Sequence, residues 1–507
     1  MEEESWWVDQ LRALKSPNQR LSALNSINTA FTQEMWPRGV VRTMLKTPEL
    51  YDCIDRSGGG DSGPGREGVS GMAVEVLNHC LNQLPLDITD EQLPDLLEPG
   101  LTNSNPVVRS LVLRAILTEV NRQYNSGRVR ELPGNELVCL VLDELKRPDT
   151  EESTVAIEIL SIVLHQRVND GAVQAKLVQL LQQDEIVRCR AYELGVKLAK
   201  SSAATLKSVE FILDAALSEL DNDDVLLQAS VMEVLVPLAE QNHGLSYMER
   251  RNVFDVINNR VQRIEENPLD ALLIPSIMKF FGKIAAVQPQ KIIIGYPNML
   301  DCLFQQLQSE NEVNLPTAMD TLANLAATSQ GKQLLHKNFQ QSMEMTLKKY
   351  ASYTKNLSAP IKERLLNSLD VIYAVESKPP SQEISTILKN WYEIFAGGLQ
   401  IQIIMDLINT PFPDLQIAAL ALLKSICQYR FGIVALKNTG GAMEFLLSRR
   451  RDLHKEVKYL KWEIMEMLAV STEFSPTETI RFTAYVNEGP YHIQPDLDIA
   501  TEPQGRA

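Results

Sequence analysis

Hydrophobic positions in this chain recur at three- and four-residue steps for most of its length, the pattern of amphipathic helices. Asp184–Leu198 shows it most plainly. Asp184 and Glu185 stand where acidic groups favour a helix start, and Ile186, Val187, Ala191, Leu194 and Leu198 fall on one expected buried face. Variants of the same stretch begin at Asn105, Thr154, Asp224, Asn314, Ala359 and Pro413. With Val108, Val155, Val187, Leu227, Leu273, Leu315, Ile361 and Leu415 as equivalent anchors, the steps run from roughly 32 to 54 residues. Their mean is about 44, the period of HEAT and armadillo repeats. The pattern predicts an all-α fold, an α-α superhelix of HEAT/armadillo-like type, built as one elongated stack.

Between the periodic segments lie short polar or breaker-rich connections, among them Pro148-Asp149, Asn242-His243-Gly244, Ser329-Gln330-Gly331 and Gly440-Gly441. Pro237 and Pro275 fall inside helical patterns and are expected to kink them. Strand signals are nearly absent, and Lys291–Ile294 is the best of them. Residues 1–56 read as N-terminal capping helices, with Trp6, Trp7 and Trp36 closing the open end of the stack. Residues 57–71 form a Gly-rich flexible loop, 72–470 the repeats, 471–491 a C-terminal helix and cap with Ser475 as N-cap, and 492–507 a disordered tail.

Composition narrows the function. The chain has 507 residues, beyond the usual single-core limit of about 250–300, and a stack accommodates that length. A net charge of −16 argues against a nucleic-acid partner. The local run Arg449-Arg450-Arg451 reads as a solvated helix face in preference to a site for an acidic surface. No apolar run reaches the length of a membrane span, and no secretory signal is evident. The six cysteines are scattered without CxxC pairs; Cys139, Cys189, Cys302 and Cys427 read as buried free thiols of a reducing compartment, cytosol or nucleus.

Catalytic signatures are missing. Gly60 and Gly65 have P-loop separation, but Arg66 and Glu67 stand where Lys and Ser/Thr are required. The six histidines form no zinc pattern, His79-Cys80 is only one pair of soft ligands, and Asp221–Asp224 lacks the glycine and distal glutamate of a calcium loop. Neither an enzyme nor a cofactor is indicated. Arg109, Arg188, Arg190 and Gln228 recur near the starts of repeats, and two readings stand side by side: stitching of neighbouring repeats, or contact with a partner.

One ordered set of segments carries a resemblance: Ile186-Val187-Arg188 with Arg190 and Tyr192-Glu193-Leu194, then Lys279-Phe280-Phe281-Gly282, Tyr296-Pro297, Gly331-Lys332-Gln333, Pro411-Phe412-Pro413 with Leu415, and Glu488-Gly489-Pro490-Tyr491. On these, the chain resembles the 26S proteasome non-ATPase regulatory subunit 5 family, HEAT-repeat assembly chaperones of the regulatory particle base. The resemblance implies a non-catalytic chaperone, monomeric when free, with neither nucleic acid nor membrane as partner. It implies binding to the C-terminal domain of one proteasomal AAA+ ATPase, the first of the ring, and holding of a base precursor with the neighbouring ATPase and a large scaffold subunit until release before the 26S complex matures. The alternative within the binding class is a generic HEAT/armadillo scaffold or adaptor of transport or phosphatase type.

Overall fold

The computed structural model describes residues 2–33, 38–55, 66–83, 92–126, 134–222, 224–262, 268–309, 312–376 and 379–492. Among these the regular structure is α-helix and short 3-10 turns, with no strand. The all-α expectation holds, and Lys291–Ile294 is helical. The single stack expected from the periodicity divides into two compact units, Met1–Val253 and Phe254–Ala507.

The first unit starts with α1 (Glu2–Leu14), α2 (Arg20–Gln33), α3 (Arg38–Leu45), α4 (Pro48–Asp55) and α5 (Arg66–Gln83). Trp7 is buried there, against the edge of Trp6 and the ring of Phe31; Trp36 lies outside the described residues. Helix α5 begins six residues before the end assigned to the Gly-rich loop, so 66–71 is helical. The rest of that loop, and the tail after His492, also lie outside the described residues. Two-helix repeats follow: α6 (Leu93–Leu101) with α7 (Pro106–Asn125), α8 (Asn135–Asp143) with α9 (Thr150–Val163), and α10 (Gly171–Leu180) with α11 (Glu185–Ser201). Then come α12 (Ala203–Ser208), α13 (Glu210–Ser218), α14 (Val225–Leu235) and α15 (Asn242–Arg250). Helices α7, α9, α11 and α14 pack side by side in one layer, and α6, α8 and α10 make the other.

Helix α11 is central to this unit, touching α9, α12, α13 and α14. Asp184 caps it by accepting from the Val187 amide at 3.0 Å. Val187, Ala191, Leu194 and Leu198 are buried as expected, whereas Ile186 is 65% exposed. Six of the eight repeat anchors are fully buried; Val155 and Ile361 are half-buried.

In the second unit, after α16 (Val253–Gln262), the repeat gains a helix. Helices α17 (Ile274–Val287), α18 (Pro289–Gly295) and α19 (Pro297–Gln308) form one three-helix repeat. Helices α20 (Leu315–Leu325), α21 (Ser329–Asn338) and α22 (Gln340–Asn356) form the next, followed by α23 (Ala359–Tyr373), α24 (Gln382–Ala396) and α25 (Gln402–Ile408). The last are α26 (Pro413–Cys427), α27 (Arg430–Lys437) and α28 (Ala442–Leu447), then α29 (Lys455–Ala469) and α30 (Pro476–Glu488). The layers run α17–α20–α23–α26–α29, α18–α21–α24 and α19–α22–α25, and α19, α22 and α25 each pack on the first helix of the next repeat. Ser475 caps α30 in a full capping box with Glu478.

In two repeats of the second unit, at α20–α21 and α26–α27, the sharp corner between the first and second helices depends on glycine. A Cβ on Gly331 would stand 2.0 Å from the Leu325 carbonyl oxygen, and one on Gly432 would stand 2.1 Å from that of Ile426. The first unit repeats the device at Gly244, where the Leu238 carbonyl would be 2.1 Å away. These obstructions are backbone and cannot rotate aside. Gly331→Ala is therefore expected to destabilise the second unit by about 2–3 kcal/mol through forced backbone displacement. Gly295→Ala, where a Cβ meets nothing within 4 Å, is the matched control. Equal denaturant midpoints for the two variants would contradict the corner reading.

The two helix-interior prolines do not kink α-helices. Pro237 sits in the first turn of a 3-10 segment, Val236–Glu240, after α14 has ended, and Pro275 occupies the first turn of α17. In both places the missing N–H has no helical partner to lose. Among the cysteines, Cys53, Cys80 and Cys427 are buried, whereas Cys139, Cys189 and Cys302 are only half-buried; none of the six forms a disulfide. Burial pushes the Cys80 and Cys427 thiols up to about 12.

Candidate interaction surface

Three of the four repeat-start polar residues occupy one position, the fourth residue of a layer helix, and there they perform one task. Arg109 in α7 donates to the carbonyls of Asn103 at 2.7 Å and Ser104 at 2.8 Å, and Arg188 in α11 donates to that of Gln183 at 3.1 Å. Gln228 in α14 donates to the carbonyl of Asn222. The second unit repeats the bond from Lys332 to Ala327, Lys362 to Lys355, Gln416 to Thr410 and Lys458 to Arg451. A long donor at this position folds back over the helix start and satisfies carbonyls of the preceding turn, which otherwise lack helical partners.

The arginines reach further, into the next repeat. Arg109 is 3% exposed and meets Glu152 at 2.9 Å, Asp149 at 3.0 Å and Glu144 at 3.7 Å. Burial drives the Glu144 carboxyl up to about 7, against the pull of Arg147 and Arg109. Arg188 meets Glu219 at 2.9 Å, and the hydroxyl of Tyr192 donates to the same oxygen at 2.9 Å. Burial pushes Glu219 up, but hydrogen bonds from Asn222 and Tyr192, together with the Arg188 guanidinium, hold it below the ordinary value. Glu144 and Glu219 both begin 3-10 turns that close the preceding helices, so the two clusters are repeat-equivalent. Arg190 stands two positions later and points backwards, donating to the carbonyls of Leu145, Arg147 and Pro148.

All four residues make internal bonds: Arg109, Arg188 and Arg190 link neighbouring repeats, and Gln228 closes its own helix start. Arg449-Arg450-Arg451 is a loop rather than a helix face. Arg449 is nearly buried, stacked 3.4 Å over the Tyr485 ring and bonded to the carbonyls of Tyr485 and Gly489. It fastens α30. No group of three or more His, Cys, Asp or Glu side chains among the described residues is placed to hold a metal. No helix among them is long and apolar enough to cross a membrane.

What remains for a partner is charge and exposed apolar surface, and both are uneven. Up to Val253 the chain carries 38 Asp and Glu against 24 Lys and Arg; beyond it, 27 against 25. The net charge is therefore −14 in the first unit and −2 in the second. The layer helices of the second unit are joined by polar contacts. Arg364 pairs with Asp320, Ser425 donates to Asp370 at 2.6 Å, and Lys424 meets Glu463 at 2.9 Å. Each contact joins neighbouring repeats.

Comparison with known proteins decides among the stacked-helix proteins. The model of the family described as "Proteasome non-ATPase 26S subunit" matches residues 3–507. The chain belongs to this family. A 26S proteasome non-ATPase regulatory subunit 5 of Drosophila melanogaster is 65% identical over 506 residues, covering 100% of this chain and 99% of its own length. The Bos taurus protein of the same name is 28% identical over 85% of this chain and 87% of its own length. In structure, this family member is similar to a chain of a solved Kap95p–RanGDP structure, with a TM-score of 0.51, 13% identity, 97% of this chain and 62% of that chain covered. That likeness supports the α-solenoid fold alone.

Proposed function

We propose that this protein is a non-catalytic chaperone for assembly of the base of the 26S proteasome regulatory particle, acting in the cytosol or nucleus. In this reading it binds the C-terminal domain of the first AAA+ ATPase of the ring. It holds a precursor with the neighbouring ATPase and a large scaffold subunit, and leaves before the 26S complex forms. The observation that carries the reading is the family match across nearly the whole chain, together with a relative named as a regulatory subunit that is 65% identical end to end. Stacked helices present long continuous faces, suited to a folded domain burying about 1,200–2,000 Å² in total. An excess of acid in the first unit would speed encounter with a basic partner more than it deepens affinity, which suits a complex that must dissociate.

The test is co-elution of the full chain with each proteasomal ATPase C-terminal domain, one at a time. Capture of the first ATPase's domain alone is the expected result. Capture of none by a folded sample, or of all equally, would overturn the assignment and favour a generic scaffold.

A further inference from the structure

Among the described residues, seven large hydrophobic side chains of the first unit are exposed, and three of them occupy one repeat position. Val107, Ile186 and Leu226 are each the second residue of a layer helix, in α7, α11 and α14, with exposures of 50%, 65% and 80%. The equivalent residue of the intervening α9 is Glu151, also exposed and paired across the surface with Arg114. Because these helices pack in sequence, the four side chains form a row along one edge of the layer. Adjacent axes lie about 8–10 Å apart, so the row spans about 24–30 Å.

The row is set in acid. Asp149, Asp184 and Asp224 are the N-caps of α9, α11 and α14, and Glu151 and Glu185 lie in first turns. The positive ends of α7, α11 and α14 are already satisfied from within. Asn105 accepts from the Val107 amide, Asp184 from that of Val187, and Asp224 from those of Leu226 and Leu227. At these three ends an incoming group therefore meets carboxylate and aliphatic surface, not free N–H donors.

We propose that this edge docks a basic amphipathic helix of a partner protein. Seven residues of α-helix advance about 10.5 Å, close to the separation of neighbouring repeats. A helix laid across the edge with one side chain facing each repeat would present apolar, basic, apolar and apolar residues in turn, about seven positions apart. The apolar ones cover Val107, Ile186 and Leu226, and the basic one shares Glu151 with Arg114. Flanking Lys or Arg residues meet Asp184 and Asp224, Asp149 being held by Arg109, and the charge of −14 on this unit disfavours an acidic helix.

The experiment uses the full chain and a labelled helical peptide with leucine and lysine in that register, read by fluorescence anisotropy. Binding is expected to weaken about tenfold or more in Val107→Ser/Ile186→Ser/Leu226→Ser, and to disappear when the peptide lysines become glutamate. An unchanged melting curve shows that the triple variant folds; Leu226→Ser alone, at the most exposed of the three, is the fallback. Equal binding by the triple variant, or by a peptide whose leucines are moved out of register, would reduce the contact to unspecific charge and overturn the proposal. Failure of the wild-type chain to bind would do the same. The peptide readout is independent of the assembly role, so each fails or stands separately.

Discussion

Leu194→Asp is expected to abolish the cooperative unfolding transition of the first unit while leaving that of the second in place. Leu194 is fully buried on the helix that touches the largest number of neighbours in its unit, and the residue beside it, Gly195, already abuts Ile212. Deleting a buried leucine side chain costs about 2–5 kcal/mol through lost transfer energy and the cavity left behind. A carboxylate in its place adds the penalty of a buried, unpaired charge, so the total is on the order of 5 kcal/mol or more. Domains are stable by about 5–15 kcal/mol, and the variant falls at or below the limit. Hydrogen exchange should show protection lost across α9, α11 and α14 but retained across α20, α23 and α26. Glu193→Gln, one residue away on the exposed side, removes only the surface pair with Lys197 and should shift stability by less than about 1 kcal/mol. A native-like calorimetric transition for Leu194→Asp would contradict the burial assigned to it.

Arg109→Met is the second large effect. The substitution keeps much of the side chain's length and removes its charge, leaving Glu152 buried without its cation and Glu144 with only Arg147, at 3.9 Å. One oxygen on each of these carboxylates already lacks a hydrogen-bond partner. Removing one member of a buried charge cluster costs about 3–5 kcal/mol. The effect has a pH signature whose sign follows from Glu144. Its folded carboxyl is raised from 4.5 to about 7, so between those values the folded chain holds a proton that the unfolded chain has released. That contribution is fully present below about pH 4.5 and is lost as pH rises through 7. Without Arg109 the loss deepens, and the difference between variant and wild type should be larger at pH 8 than at pH 5 in urea titrations. Glu144→Gln should flatten the slope and partly rescue Arg109→Met. A pH-independent difference would mean that Arg109 contributes packing rather than charge.

Both effects expose the same division of information. Helical periodicity found α11 and the burial of Leu194, because a 3.6-residue repeat of apolar side chains needs only the chain's own geometry. It also placed Ile186 on the buried face, and there it misled. Ile186 lies in the first turn, at the mouth of its helix, and is left exposed. The same end effect left Val107 and Leu226 exposed and created the apolar edge of the first unit, which no pattern in the sequence marks out from core. The recurring donor at the fourth helical position was legible as a repeat of Arg, Arg and Gln. A family of second-unit equivalents at Lys332, Lys362, Gln416 and Lys458 was readable by the same alignment of helix starts.

The sequence by itself determined the all-α class, the repeat, the helix caps at Asp184 and Ser475, and, through an ordered set of short segments, the family. These depend on neighbours within one or two turns or on direct likeness to relatives. Tertiary structure alone decided the division into two units and the change from two-helix to three-helix repeats. It also decided which polar side chains meet. Arg109 and its buried carboxylates are separated by 35 and 43 residues, and Arg188 and Glu219 by 31. Such pairings arise only when one repeat stacks on the next, so the charges that stitch the solenoid and the surface left for a partner cannot be told apart before the chain is folded.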